Sequence, residues 1–102
     1  MRMWNVDTSK MCNKHLLGEH LEMHMFVGCI KKGMSIKGYV DKGLVEVSNI
    51  SKRHNVLVKE MLIRKMNHKT PIDDTSAFPE QGKVDVEENI KELKKRCSKC
   101  KF

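Results

Sequence analysis

One segment concentrates the side chains that could do chemistry: His15-Leu16-Leu17-Gly18-Glu19-His20-Leu21-Glu22-Met23-His24-Met25-Phe26. On a helix, His15, Glu19, Glu22 and Phe26 share one edge at i, i+4, i+7 and i+11. Glu19 and Glu22 are then neighbours beside an apolar stripe. Two close carboxylates repel and burial favours protonating one, which is how general acid/base pairs are built. A plain ion-pair network uses the same residue types.

Metal chemistry is the second possibility. His20 and His24 lie one turn apart, a spacing that suits zinc. The HExxH signature fails because Leu21 follows His20, and the inverted form fails because Leu17 stands where its first histidine belongs. Cys97-Ser98-Lys99-Cys100 is a lone CxxC, half of a four-ligand pattern. Cys12 and Cys29 fall inside a helical pattern, where small thiols pack in cores. All four cysteines read as reduced thiols of an intracellular protein. The expectation is therefore no metal and no cofactor. The rival is a zinc protein using Cys97, Cys100 and two of the histidines.

These residues need elements to hold them. Residues 8–32 read as a helix capped by Thr8 or Ser9 and stopped by Gly33. Its core stripe is Cys12, Leu16, Met23, Val27 and Ile30. Gly18 in its middle suggests close approach of another backbone. Residues 34–48 read as a loop, with a short extended stretch about Leu44–Val47. A second helix runs from Ser48 or Asn49 to about Met66. Its inner face is Ile50, Leu57, Met61 and Leu62, and its basic outer face is Lys52, Arg53, Lys59, Arg64 and Lys65. Residues 67–84 hold both prolines and read as a long surface connector. A third helix starts at Asp85, a cap with Glu88 three residues on, and carries Val86, Ile90, Leu93 and Cys97 on one stripe. The expected fold is all-α: one compact domain over residues 1–102, with three main helices and long connectors.

Composition narrows the partners. The chain has 102 residues and a net charge of +7. Small proteins this basic usually face nucleic acid. No apolar run approaches the ~20 residues of a membrane helix. The first residues, Met1-Arg2-Met3-Trp4-Asn5-Val6-Asp7, lack the apolar region of a signal peptide. The expected setting is intracellular, the cytoplasm of a bacterium or of a phage-infected cell, with no membrane partner.

The pattern resembles the phage-type pyrimidine-dimer DNA glycosylase family, historically called endonuclease V of phage. The likeness runs without gaps through Met1-Arg2, Asn13 to Glu22, Phe26 and Gly28 to Lys32. A weaker second stretch, Ile50-Ser51-Lys52-Arg53-His54 to Met66, looks like the family's second long helix.

The resemblance implies a DNA glycosylase with AP lyase activity. The chain's own α-amino group attacks C1′ of a damaged nucleotide, displaces the base and holds the sugar as a Schiff base, and β-elimination then nicks the strand. An α-amine, with an ordinary pKa near 7.7–8.0, suits this better than a lysine near 10.4. Counted back from Glu22, Met1 falls at the nucleophile position. Arg2 is too large for efficient methionine removal, so Met1 is expected to stay. Glu22 takes the place of the family's catalytic glutamate, with His15 and Glu19 as support.

Arg2, His20, His24, Arg53, Lys94, Lys95 and Arg96 are the expected DNA contacts. Leu21 and Met25 stand where the family's prototype has arginines, and the tail from Cys97 to Phe102 lacks its aromatic residues. The expected partner is double-stranded DNA with a damaged or abasic nucleotide, probed by a monomer, with pyrimidine dimers as the implied lesion. The alternative is a non-catalytic DNA-binding protein that kept the fold.

Overall fold

The computed structural model describes residues 1–102. Four helices follow one another: α1 (Asn13–Lys31), α2 (Lys37–Asp41), α3 (Ile50–Ile63) and α4 (Val86–Arg96). There are no strands. Three helices are long and α2 is a short turn, so the all-α expectation of three main helices holds. The Cα radius of gyration is 13.2 Å, the value of a folded chain of about 100 residues.

The core forms where α1 and α3 pack. Leu16, Met23 and Phe26 of α1 meet Ile50, Leu57 and Met61 of α3, all essentially removed from water. Burial of each such side chain contributes roughly 1.5–3 kcal/mol. The N-terminal segment belongs to this core. Met3, Trp4 and Val6 are buried. Asn5 between them takes a left-handed conformation, φ +56°, which asparagine tolerates better than most residues.

Several local expectations change. Helix α1 begins five residues later than residue 8. A 3-10 turn occupies Thr8–Lys10, and Cys12 is the true cap, its sulfur accepting the His15 amide. Gly33 ends the helix with φ +72°. A methyl group built at Gly18 would meet nothing within 4 Å, so no backbone crosses there. The stretch read as a loop contains α2, whose Tyr39 stands edge-on to Phe26 at 5.3 Å. Leu62, assigned to the inner face of the second helix, is 57% exposed. Arg53, assigned to its outer face, is buried.

The connector from 67 to 84 is tied down at its middle and at its C-terminal end. The Thr75 hydroxyl accepts the Ser51 amide at 3.0 Å and supplies the cap that Asn49 does not. The Val84 amide donates to Glu46 at 2.8 Å. Helix α4 starts as expected, the Asp85 carboxylate accepting the Glu88 amide at 3.1 Å, and buries Leu93 and Asn89. No helix is long and apolar enough to cross a membrane.

Candidate active site

The N-terminus is held from three directions. From α4, the Asn89 amide donates to the Trp4 carbonyl at 2.7 Å, and its oxygen accepts from the Arg2 guanidinium at 2.6 Å. From the chain before α3, the Leu44 carbonyl accepts the Met3 amide at 2.7 Å. From α3, Arg53 donates to the Val6 carbonyl at 3.0 Å. So fixed, the chain delivers its first residues to α1. The Arg2 amide donates to Glu22 Oε1 at 2.6 Å, and the Met1 α-nitrogen lies 4.0 Å from the same oxygen.

An open cleft of about 410 Å³ surrounds this contact, lined by Met1, Arg2, Trp4, His15, Glu22, Leu44 and Arg96. The Arg2 guanidinium lies 4.1 Å from the centre of the Trp4 ring, and that of Arg96 5.9 Å. Burial, and then the nearby Arg96 charge, lower the pKa of Arg2. Burial, followed by the charges of Lys14 and Arg96, lowers the pKa of His15 and favours its neutral form. The cleft thus offers one amine, one carboxylate and two guanidiniums around an aromatic wall. Such a set can pair an amine nucleophile with a carboxylate that moves protons, and can hold anionic groups on its guanidiniums.

Glu19 and Glu22 do not act as a pair. Glu19 points into the core, where Arg53 grips it through Nε at 2.6 Å and a second nitrogen at 2.9 Å. Both side chains are almost fully buried, 0% and 5% exposed. The Asn5 amide reaches the same carboxylate at 3.4 Å. This ion pair positions the N-terminal segment, and its arginine is already committed to Glu19 and to the Val6 carbonyl.

His20 and His24 also turn away from the cleft. With His54 and His68 they form a cluster whose rings lie 4.7–5.2 Å apart where they stack or meet edge-on. His24 and His54 share a hydrogen bond of 3.0 Å between their Nε2 atoms. Burial, aided by the other three rings, pushes His20 down to about 4. His24 and His54 are lowered by burial as well.

The basic end of α4 divides. Arg96 lines the cleft and pairs with Glu92 at 2.6 Å, whereas Lys94 and Lys95 are exposed and lie outside it. A second cleft, about 820 Å³, meets the first at His15 and Arg96. Lys14, Arg64, Lys99 and Lys101 line it against a single carboxylate, Glu60. The sequence pattern points to neither Trp4 nor Asn89. The lone tryptophan two residues after Arg2 was the available signal, while nothing marked Asn89.

A family model described as pyrimidine dimer DNA glycosylase matches residues 1–74, which include Met1, Arg2, His15, Glu19 and Glu22 but end before α4. Neither the curated proteins nor the solved structures contain a match to the chain.

Proposed function

The chain belongs to the pyrimidine dimer DNA glycosylase family, a family of DNA glycosylase/AP lyase enzymes, and from that premise we propose that it excises a damaged base through its own α-amine. The observation that carries this reading is the 4.0 Å between the Met1 nitrogen and Glu22 Oε1 in an open cleft. An enzyme of this class acts on DNA. The finer reading concerns the lesion, the mechanism and the residues.

In that mechanism the neutral α-amine attacks C1′ of an everted nucleotide. The C1′–N bond breaks, the base leaves with the electron pair and is protonated, and the sugar opens to an iminium on the Met1 nitrogen. Glu22 stabilises the positive charge that develops at the sugar and then takes the C2′ proton. The electrons of that C–H bond expel the 3′ phosphate oxygen, and water later frees the amine. Arg2 and Arg96 hold the flanking phosphates. His15 acts only as a wall of the cleft, and Glu19 acts through Arg53 on the N-terminal segment. On this reading the protein works inside the cell as a single-domain monomer, on duplexes carrying pyrimidine dimers or abasic sites.

The test is borohydride reduction on a duplex with one abasic site. The expected result is a covalent protein–DNA adduct whose linked peptide contains Met1. Chemical acetylation of the α-amine should abolish it and leave DNA binding. An adduct formed at a lysine, or none at all with binding intact, would overturn the mechanism, the second outcome favouring a non-catalytic binder.

A further inference from the structure

Four side chains outside the proposed chemistry converge where the C-terminal segment meets the start of α1. The Cys12 sulfur lies 3.7 Å from that of Cys97 and 3.1 Å from Nδ1 of His15. The Cys100 sulfur lies 3.6 Å from the same Nδ1. All four ligand atoms fall within 4.8 Å of one another.

We propose that Cys12, His15, Cys97 and Cys100 bind one zinc ion in a closed, tetrahedral Cys3His site that fastens the C-terminal segment to α1.

The geometry favours a shared ion over four separate contacts. Zinc bonds of about 2.3 Å to sulfur and 2.0–2.1 Å to nitrogen, at tetrahedral angles, place two sulfurs about 3.8 Å apart and a sulfur about 3.5 Å from a nitrogen. The observed 3.7 and 3.6 Å match, and 3.1 Å needs only a small rotation. A disulfide would need sulfurs about 2.05 Å apart, and all the cysteines are free.

The spacing agrees. Cys12-x2-His15 and Cys97-x2-Cys100 are two short ligand pairs of the kind that build structural zinc sites. Amides already point at the sulfurs: that of Cys12 at Cys100, 3.3 Å, and that of His15 at Cys12, 3.5 Å. Such donors stabilise thiolates. Three thiolates and a neutral imidazole around Zn²⁺ carry one net negative charge, set beside Lys14, Arg96, Lys99 and Lys101 in the larger cleft. Sulfur-rich ligands in a tetrahedron select zinc over the hard cations.

The site gives the tail a physical reason to stay folded. After α4 ends at Arg96 the last residues form no helix or strand. They are held by the Lys101 amide on the Lys10 carbonyl, 2.7 Å, and by the cysteines. The four protein ligands leave no open position, so the ion is structural. His15 also stands edge-on to Trp4, 6.0 Å between ring centres, so the ion steadies one wall of the Glu22 cleft.

The test uses the full chain purified without chelators. Elemental analysis should give one zinc per chain bound through sulfur, and zinc X-ray absorption should show three sulfur and one nitrogen neighbours. Cobalt substitution should produce a sulfur-to-cobalt charge-transfer band. Cys97→Ser/Cys100→Ser should lose one equivalent of zinc and that band, and His20→Gln/His24→Gln should keep both. A wild-type chain that holds no zinc and shows no thiolate band with added cobalt would overturn the proposal. So would a nitrogen-only shell, which would move the metal to the four-histidine cluster. Both spectra are read on the wild-type protein, so they stand even where the cysteine variant fails to fold.

Discussion

The α-nitrogen of Met1 stands 4.0 Å from Oε1 of Glu22, and the Arg2 amide donates into that same oxygen at 2.6 Å. One carboxylate thus both anchors the end of the chain and faces its amine. The anchor needs an acceptor oxygen, whereas the proposed chemistry needs a negative charge. Glutamine keeps the first and removes the second. Glu22→Gln is therefore expected to retain the fold and DNA affinity and to lose excision by on the order of a hundredfold or more. Single-turnover assays beside binding titrations check this; undiminished excision would remove Glu22 from the chemistry.

Glu19 and Arg53 make a different kind of pair, closed off from water. Removing one partner leaves a buried charge uncompensated, at a cost of about 3–5 kcal/mol. Arg53→Met should lower stability by that order in urea denaturation. Glu19→Met/Arg53→Met should lose less than the two single variants together. Additive losses would mean that the two side chains do not depend on one another.

Arg96 and the two lysines before it should separate in salt titrations. Arg96→Gln removes a cation from the cleft and should make the log–log salt slope of DNA binding shallower by about 0.9, the share of one phosphate. Lys94→Gln/Lys95→Gln should change the slope less, because those side chains face solvent beyond both clefts. Equal slopes for wild type and Arg96→Gln would exclude the phosphate role of Arg96.

The histidine cluster predicts an acid-sensitive fold. His20 titrates at about 4 in the folded chain and near 6.5 when unfolded, because burial and then His54, His24 and His68 disfavour its cation. A depressed histidine favours folding while neutral. Its contribution is complete above about pH 6.5 and is lost as pH falls through about 4. Melting temperature should fall across that window, ahead of the carboxylates. His20→Leu should flatten the fall. A melting temperature that stays level between these limits in the wild type would contradict the placement of the four rings.

The order of the long helices, the stop at Gly33, the cap at Asp85 and the core positions Leu16, Met23 and Val27 of α1 were legible in the sequence. Each depends on neighbours within a few turns: apolar spacing, a left-handed glycine, a side chain reaching the next amides. The resemblance to the glycosylase family is what singles out Met1, Arg2 and Glu22 together, and the fold then sets the Met1 nitrogen 4.0 Å and the Arg2 amide 2.6 Å from Glu22 Oε1. What no local count reaches is which partner a polar side chain meets. Glu19 and Glu22 sit on one helix edge three residues apart, yet one turns inward to Arg53 and the other outward to the chain's own end. His20 and His24 read from the sequence as a one-turn pair available to a metal or to DNA, until α3 brings His54 against them. Cys12 and Cys97 are 85 positions apart, and only the return of the tail after α4 sets their sulfurs 3.7 Å from each other. The helices follow from periodicity, whereas these long-range pairings follow from how the helices pack, since a buried charge or thiol must find its partner wherever the fold puts one.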